Sequence, residues 1–137
     1  MSDTPYYIFD SYALLAHLEE ESSADRVRSI LKQSSRGECR VGMSLINLGE
    51  VAYIIERRKG MLSAQETMAA VQQLPVEILP TDQAAVFAAA HIKAHHRLSF
   101  ADAFAAAAAE MLGGTLVTGD PEFESIQTEI PIEWLLR

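Results

Sequence analysis

Residues 98–123 read LSFADAFAAAAAEMLGGTLVTGDPEF, and the change of pattern inside this stretch decides the fold class. A run of alanine fills a helix, for which Ser99 is the natural N-cap. An apolar strand, TLVT, follows and stops at Gly119-Asp120. Each element carries one acid beside its end, Asp102 and Asp120. A chain needing only solubility would scatter its carboxylates over exposed faces. These two fall where the pattern predicts partial burial.

The same alternation runs outward through the rest of the chain. Tyr6-Tyr7-Ile8-Phe9 is an aromatic and β-branched run, read as a buried strand ending at Asp10. SYALLAHLEEE switches to helical spacing, with Leu14, Leu15 and Leu18 on one face. Ser22 or Ser23 caps a second helix, SADRVRSILKQSS, closed by Gly37. CRVGMS is the second strand, and LINLGEVAYIIERRKG a helix ending in a basic turn and Gly60. Ser63 opens SAQETMAAVQQL, limited by Pro75; VEIL is a third strand. Asp82 is the expected N-cap of DQAAVFAAAHIKAHHR, and IPIEWL adds a fifth strand at the edge. Strands alternating with helices predict an α/β fold, a three-layer α/β/α arrangement around a mainly parallel sheet of four to five strands with right-handed crossovers. No linker or repeat divides it, so residues 1–137 are expected to form a single domain.

Composition narrows the setting. Hydrophobic residues make up 49% and charged residues 22%, a globular balance. The N-terminus, MSDTPYYIFD, lacks a basic region followed by an apolar core, and the longest alanine run, Ala105 to Ala109, is too short to cross a bilayer. A single cysteine, Cys39, excludes an internal disulfide and fits a reducing, cytoplasmic location away from membranes. Cys39 itself reads as a small hydrophobe in a buried strand. The net charge of −8 argues against nucleic-acid binding through bulk positive charge. That objection weakens if several of the acids are gathered around a cation.

In parallel α/β sheets ligands collect beyond the carboxyl ends of the strands, and Asp10 and Asp120 both lie immediately after strands. Each acid also has an ordinary explanation. Asp10 suits the N-cap of the first helix, Asp120 suits a cap before Pro121, and Asp102 stands three residues after Ser99 in a capping-box position. Glu50 is harder to dismiss. In LINLGEVAYII its neighbours are apolar on nearly every side, and a lone buried carboxylate is strongly disfavoured unless paired or coordinated. Gly49 beside it would let something approach the backbone closely. Together Asp10, Glu50, Asp102 and Asp120 could converge on one concave spot. Crowded carboxylates repel unless a cation intervenes, and hard oxygen donors suit Mg²⁺ or Mn²⁺. Such an ion can polarise a phosphoryl oxygen and supply hydroxide, which implies phosphodiester hydrolysis.

These residues resemble those of the PIN-domain ribonucleases, and most of all the small VapC-type toxins of toxin–antitoxin pairs. The resemblance is carried by YIFDSYALLA, INLGEV around Glu50, LSFADAFAAA around Asp102 and LVTGDPEF, in family order across almost the whole chain. It implies a PIN-like fold and an endoribonuclease that uses Mg²⁺ or Mn²⁺. Asp10, Glu50, Asp102 and Asp120 would be the catalytic and metal-binding set, with Ser11 and Thr118 as supporting polar residues. It further implies an RNA substrate, a homodimer and inhibition by a cognate antitoxin protein.

Other readings remain open at this point. The chain could be a stand-alone PIN nuclease in RNA processing, or a non-catalytic module whose acidic pocket receives a partner's arginine. A phospho-receiver domain fits poorly, since no adjacent acidic pair follows the first strand and no Lys follows a late one. A haloacid-type phosphatase would need D-x-D where Asp10-Ser11-Tyr12 stands, and no phosphate-binding glycine motif is present. Lys93, His95, His96 and Arg97 could form a positive rim for RNA phosphates, as could Arg57-Arg58-Lys59, but cations are also favoured at helix C-termini. His91 and His95 share helical spacing without any Cys or HExxH pattern to support zinc, and His17 reads as a plain helix residue.

Overall fold

Five short strands carry the sheet: β1 (Tyr6–Phe9), β2 (Arg40–Ser44), β3 (Glu77–Leu79), β4 (Thr115–Thr118) and β5 (Ile132–Trp134). They lie in the order β3-β2-β1-β4-β5, every neighbouring pair parallel, in the computed structural model, which describes residues 4–136. The helices between them are α1 (Ser11–Leu18), α2 (Ala24–Ser35), α3 (Leu45–Lys59), α4 (Met61–Val71), α5 (Gln83–His95) and α6 (Phe100–Leu112). A 3₁₀ helix, Pro121–Ile126, links β4 to β5. The expected α/β class and parallel sheet are both present, and IPIEWL supplies the edge strand β5.

Alternation along the strands sets the layers. Ile8 and Leu116 pack into one cluster with α5 and α6, while their neighbours Phe9 and Val117 pack into another with Val27 and Ile30 of α2. A third cluster joins Leu14, Met43, Val51 and Ile55, seating α3 beside α1 and β2. The sheet is therefore covered on both faces, as a parallel sheet requires. Among the described residues no helix is long and apolar enough to cross a membrane.

Most end signals hold. Asp82 accepts from the Ala85 amide at 2.9 Å and Ser99 from the Asp102 amide at 3.1 Å. Three details differ from the sequence reading. Ser63 does not open a helix: Gly60, at φ +91°, both ends α3 and precedes α4, so the helix restarts at Met61 and Ser63 lies inside it. Ser23 takes the cap position of α2 without a side-chain bond. Helix α3 is not apolar all round: Asn47, Val51 and Ile55 are buried, whereas Tyr53 is exposed and Glu50 half-buried. Gly114 marks a close approach, since a Cβ there would stand 2.9 Å from the backbone oxygen of Tyr6.

Candidate metal centre

The register of β1 with β4 brings the first two groups of the site together. Phe9 pairs with Val117, so Asp10 and Thr118, one residue further on, emerge side by side at the carboxyl edge. Both are fully buried. Asp10 is the N-cap of α1 as the sequence suggested, its Oδ1 accepting from the Ala13 amide at 2.9 Å. Its Oδ2 accepts from the Thr118 hydroxyl at 2.5 Å, and Thr118 Oγ1 in turn accepts from the Asp120 amide at 3.0 Å. A buried threonine thus couples the two strand-end acids.

The second group comes from α6 and the turn after β4. Asp102 sits in the first turn of α6, buried, with its amide fixed by the Ser99 cap. Asp120 caps the 3₁₀ helix through the Glu122 amide at 2.9 Å, which leaves it half-buried and facing Asp102. Carboxylate oxygens of Asp102, Asp120 and Glu122 all lie within 4.8 Å of one another, the one group of three such side chains among the described residues close enough to hold a metal ion. Glu122 was missed in the sequence. Its sequence signal was an acid two residues after Asp120, in the first turn of the short helix that Pro121 opens.

Glu50 stands apart from this tight group. It projects from α3 with one carboxylate oxygen, Oε1, buried and without a hydrogen-bond partner among the described residues, and its charge is felt at Asp10. Gly49 meets open space where a Cβ would be, so among the described residues nothing from elsewhere in the chain approaches it. Ser11 opens α1 and makes no side-chain hydrogen bond to the acids among the described residues.

Gly119, between Thr118 and Asp120, has a different role from a turn glycine. A Cβ on it would stand 2.3 Å from Cε1 of Tyr12, so its lack of a side chain admits the Tyr12 ring.

Electrostatics reflect the crowding. Burial pushes the Asp10 carboxyl up to about 7, against the lowering effect of the Thr118 and Ala13 hydrogen bonds, with the charges of Asp120 and Glu50 adding to the rise. Burial, the Glu122 hydrogen bond and the charges of Asp120, Asp10 and Glu122 push Asp102 up to about 8. Such a set disfavours its own ionisation and favours any cation that relieves it. The donors are all carboxylate oxygens, which suit Mg²⁺ or Mn²⁺, and the orphaned Glu50 oxygen is a further acceptor in want of a positive or hydrogen-bearing neighbour. The residues fit a hard divalent cation.

The basic residues are largely engaged elsewhere. Lys93 donates to the Leu98 carbonyl at 2.8 Å, His96 bonds the Ser125 carbonyl and Glu129, and Arg58 pairs with Glu19. Arg57 lies over the Tyr53 ring. The rings of His91 and His95 approach to 4.8 Å, with no third metal-ligating side chain joining them among the described residues.

A family model described as PIN domain matches residues 7–129. Among solved structures, the chain is similar to DNA-bound VapBC from Salmonella typhimurium, with 21% identity, a TM-score of 0.76, and 95% of this chain and 98% of that one covered. VapBC2 from Rickettsia felis, bound to a promoter DNA fragment, gives 17% identity, a TM-score of 0.74 and coverage of 96% and 99%. VapC20 of Mycobacterium tuberculosis, described as a sarcin-ricin loop cleaving toxin, gives 18% identity, a TM-score of 0.67 and coverage of 90% and 95%. At these identities the likeness is one of fold. No curated protein matches the chain in sequence.

Proposed function

Since the chain belongs to the PIN-domain family, we propose that it is a divalent-metal-dependent endoribonuclease, the toxin of a VapBC-type pair, acting as one domain. The observation that carries this reading is the meeting of Asp102, Asp120 and Glu122 within 4.8 Å, with buried Asp10 tied to Asp120 through Thr118. No purely structural role requires so many acids in one place, because each raises the cost of ionising the next.

In this reading Asp10, Asp102 and Asp120 hold the cation, Glu122 adds a ligand at the solvent side, and Glu50 completes the set from α3. When bound, Mg²⁺ or Mn²⁺ would supply a hydroxide near neutral pH and stabilise charge on the phosphoryl oxygens during in-line attack. Thr118 fixes the orientation of Asp10 by donating to Oδ2, and the Ala13 amide fixes the other oxygen. In the absence of a cation Asp102 and, in part, Asp10 hold protons at neutral pH, so binding releases protons and strengthens as pH rises. Ser11, which follows Asp10 at the start of α1, is assigned a supporting role in the same reading.

The substrate is RNA, and the partners are a cognate antitoxin and a second copy of the chain, in a cytoplasmic setting. The neighbours solved as VapBC complexes support the antitoxin partner, and the VapC20 description supports an RNA target. The test is cleavage of a labelled single-stranded RNA by the purified protein. Cleavage that requires Mg²⁺ or Mn²⁺, is abolished by chelator and is lost in Asp10→Asn is the expected result. A folded protein that binds RNA or an antitoxin peptide without any metal-dependent cleavage would instead favour the non-catalytic module. A gene for a small DNA-binding protein directly upstream favours the toxin role over a stand-alone RNA-processing nuclease.

A further inference from the structure

Asn47 has no place in the acid set, yet its side chain is the best-buried amide in the site's surroundings. It is 0% exposed on α3, and Nδ2 donates to the carbonyl oxygen of Ala101 at 3.0 Å. That carbonyl belongs to the peptide whose nitrogen is Asp102's. The same peptide's N–H donates to the Ser99 hydroxyl at 3.1 Å. The plane that leads into Asp102 is therefore gripped on both sides, by Ser99 from its own helix and by Asn47 from α3.

The amide also leaves something over. Turning Asn47 to exchange its oxygen and nitrogen would set two oxygens against each other at Ala101, so its orientation is fixed by that partner. Oδ1 then remains buried with no donor among the described residues. An unpaired buried acceptor costs about 1–3 kcal/mol and calls for a reason. Three residues along the same helix face, Oε1 of Glu50 is buried and equally without a donor. Two orphaned acceptors thus stand one turn apart on the helix that supplies one acid and braces another, and a guest that bears hydrogens would satisfy them. A divalent ion that keeps its waters presents such hydrogens.

Resting on the nuclease reading above, we propose that Asn47 is a positioning residue of the metal centre, holding the Asp102 peptide through Nδ2 and accepting through Oδ1 a hydrogen bond from a water carried by the bound cation. It touches neither substrate nor metal directly. Residues that orient ligands through one further bond typically change metal affinity by about 10- to 100-fold when removed.

The experiment is Mn²⁺ binding to the full chain, followed by the electron paramagnetic resonance signal of free Mn²⁺, with thermal unfolding measured in parallel. Asn47→Leu keeps the volume and removes both polar atoms; it is expected to weaken Mn²⁺ binding at least 10-fold while the protein stays folded. Ile46→Ala is the structural control. Ile46 packs from α3 against the cluster that holds α6, so its truncation loosens the same contact without touching the Ala101 carbonyl. It is expected to lower Tm and leave Mn²⁺ affinity within twofold. Wild-type affinity in Asn47→Leu, or an equal loss in Ile46→Ala, overturns the proposal. An Asp10→Asn/Asp120→Asn double variant separates the two levels. If it binds Mn²⁺ as the wild type does, the nuclease reading and this inference fall together; if it is silent while Asn47→Leu binds normally, only this inference fails.

Discussion

In the absence of divalent cations, raising the pH from 5 to 8 should destabilise the wild-type protein relative to Asp10→Asn. Asp10 is 1% exposed, and its carboxyl titrates near 7 in the fold against an ordinary 3.8 in the open chain. Between those values the folded protein holds a proton that the unfolded chain has released, so this group's stabilisation is complete below the lower value and is lost as pH rises through the upper one. Moving the titration that far corresponds to about 4 kcal/mol as a ceiling, of which the span from pH 5 to 7 carries about 3 kcal/mol, on the order of 10 °C in Tm for a chain of this length. Asp102, pushed up to about 8, acts in the same direction, and because the Asp10 charge is one cause of its rise, the variant lessens that rise and adds to the difference. Asparagine suits the position. Its oxygen can accept from the Ala13 amide; the Thr118 hydroxyl loses the acceptor it has in Asp10 Oδ2, a cost that does not depend on pH. Calorimetry on metal-free protein should find Asp10→Asn gaining on the wild type by several degrees between pH 5 and pH 8. Mg²⁺ or Mn²⁺ should then raise the wild-type Tm most at pH 8 and raise that of the variant much less. A difference between the two proteins that stays flat across this range would refute the claim that a strained, buried carboxyl waits there for a cation.

Thr118→Val removes the bond to Asp10 and the acceptor for the Asp120 amide at nearly constant volume; unfolding should show a loss of about 1–3 kcal/mol, with weaker Mn²⁺ binding alongside. Gly114→Ala and Gly119→Ala should separate in a melt. The first drives a methyl against the Tyr6 backbone oxygen at 2.9 Å and should cost several kcal/mol. The second meets only the outer part of the half-exposed Tyr12 ring, which can swing away, so it should stay folded with a smaller loss. Glu122→Gln keeps the shape of the turn and removes one of the three clustered carboxylates. It should lower the pH at which Asp102 titrates, read by carboxyl NMR, and reduce Mn²⁺ affinity.

Periodicity made the fold legible. Apolar four-residue runs such as YYIF and TLVT are too short for helices, and the amphipathic stretches between them are too long for loops, so a parallel α/β sheet was the economical solution. Caps were legible where the side chain performs the cap, as at Asp82 and Ser99. They were not at Ser63, where Gly60's positive φ ends one helix and the next resumes before any capping side chain appears. In the site, Asp10 and Asp120 could be grouped from sequence because both end strands, and register does the rest. The Thr118 bridge and the turn that folds Glu122 back toward Asp102 depend on three-dimensional geometry that strand pattern does not encode. Capping does not exclude cation binding. Asp10 and Asp120 each cap through Oδ1, and a carboxylate has lone pairs enough for both roles.

The most direct measurement is anomalous diffraction from a crystal of the protein soaked in Mn²⁺. The account predicts a peak about 2 Å from carboxylate oxygens of at least two of Asp10, Asp102 and Asp120, with Glu122 on its open side. Density that appears only at surface acids away from the carboxyl edge of the sheet, or no peak there at pH 8 and millimolar Mn²⁺, would contradict it.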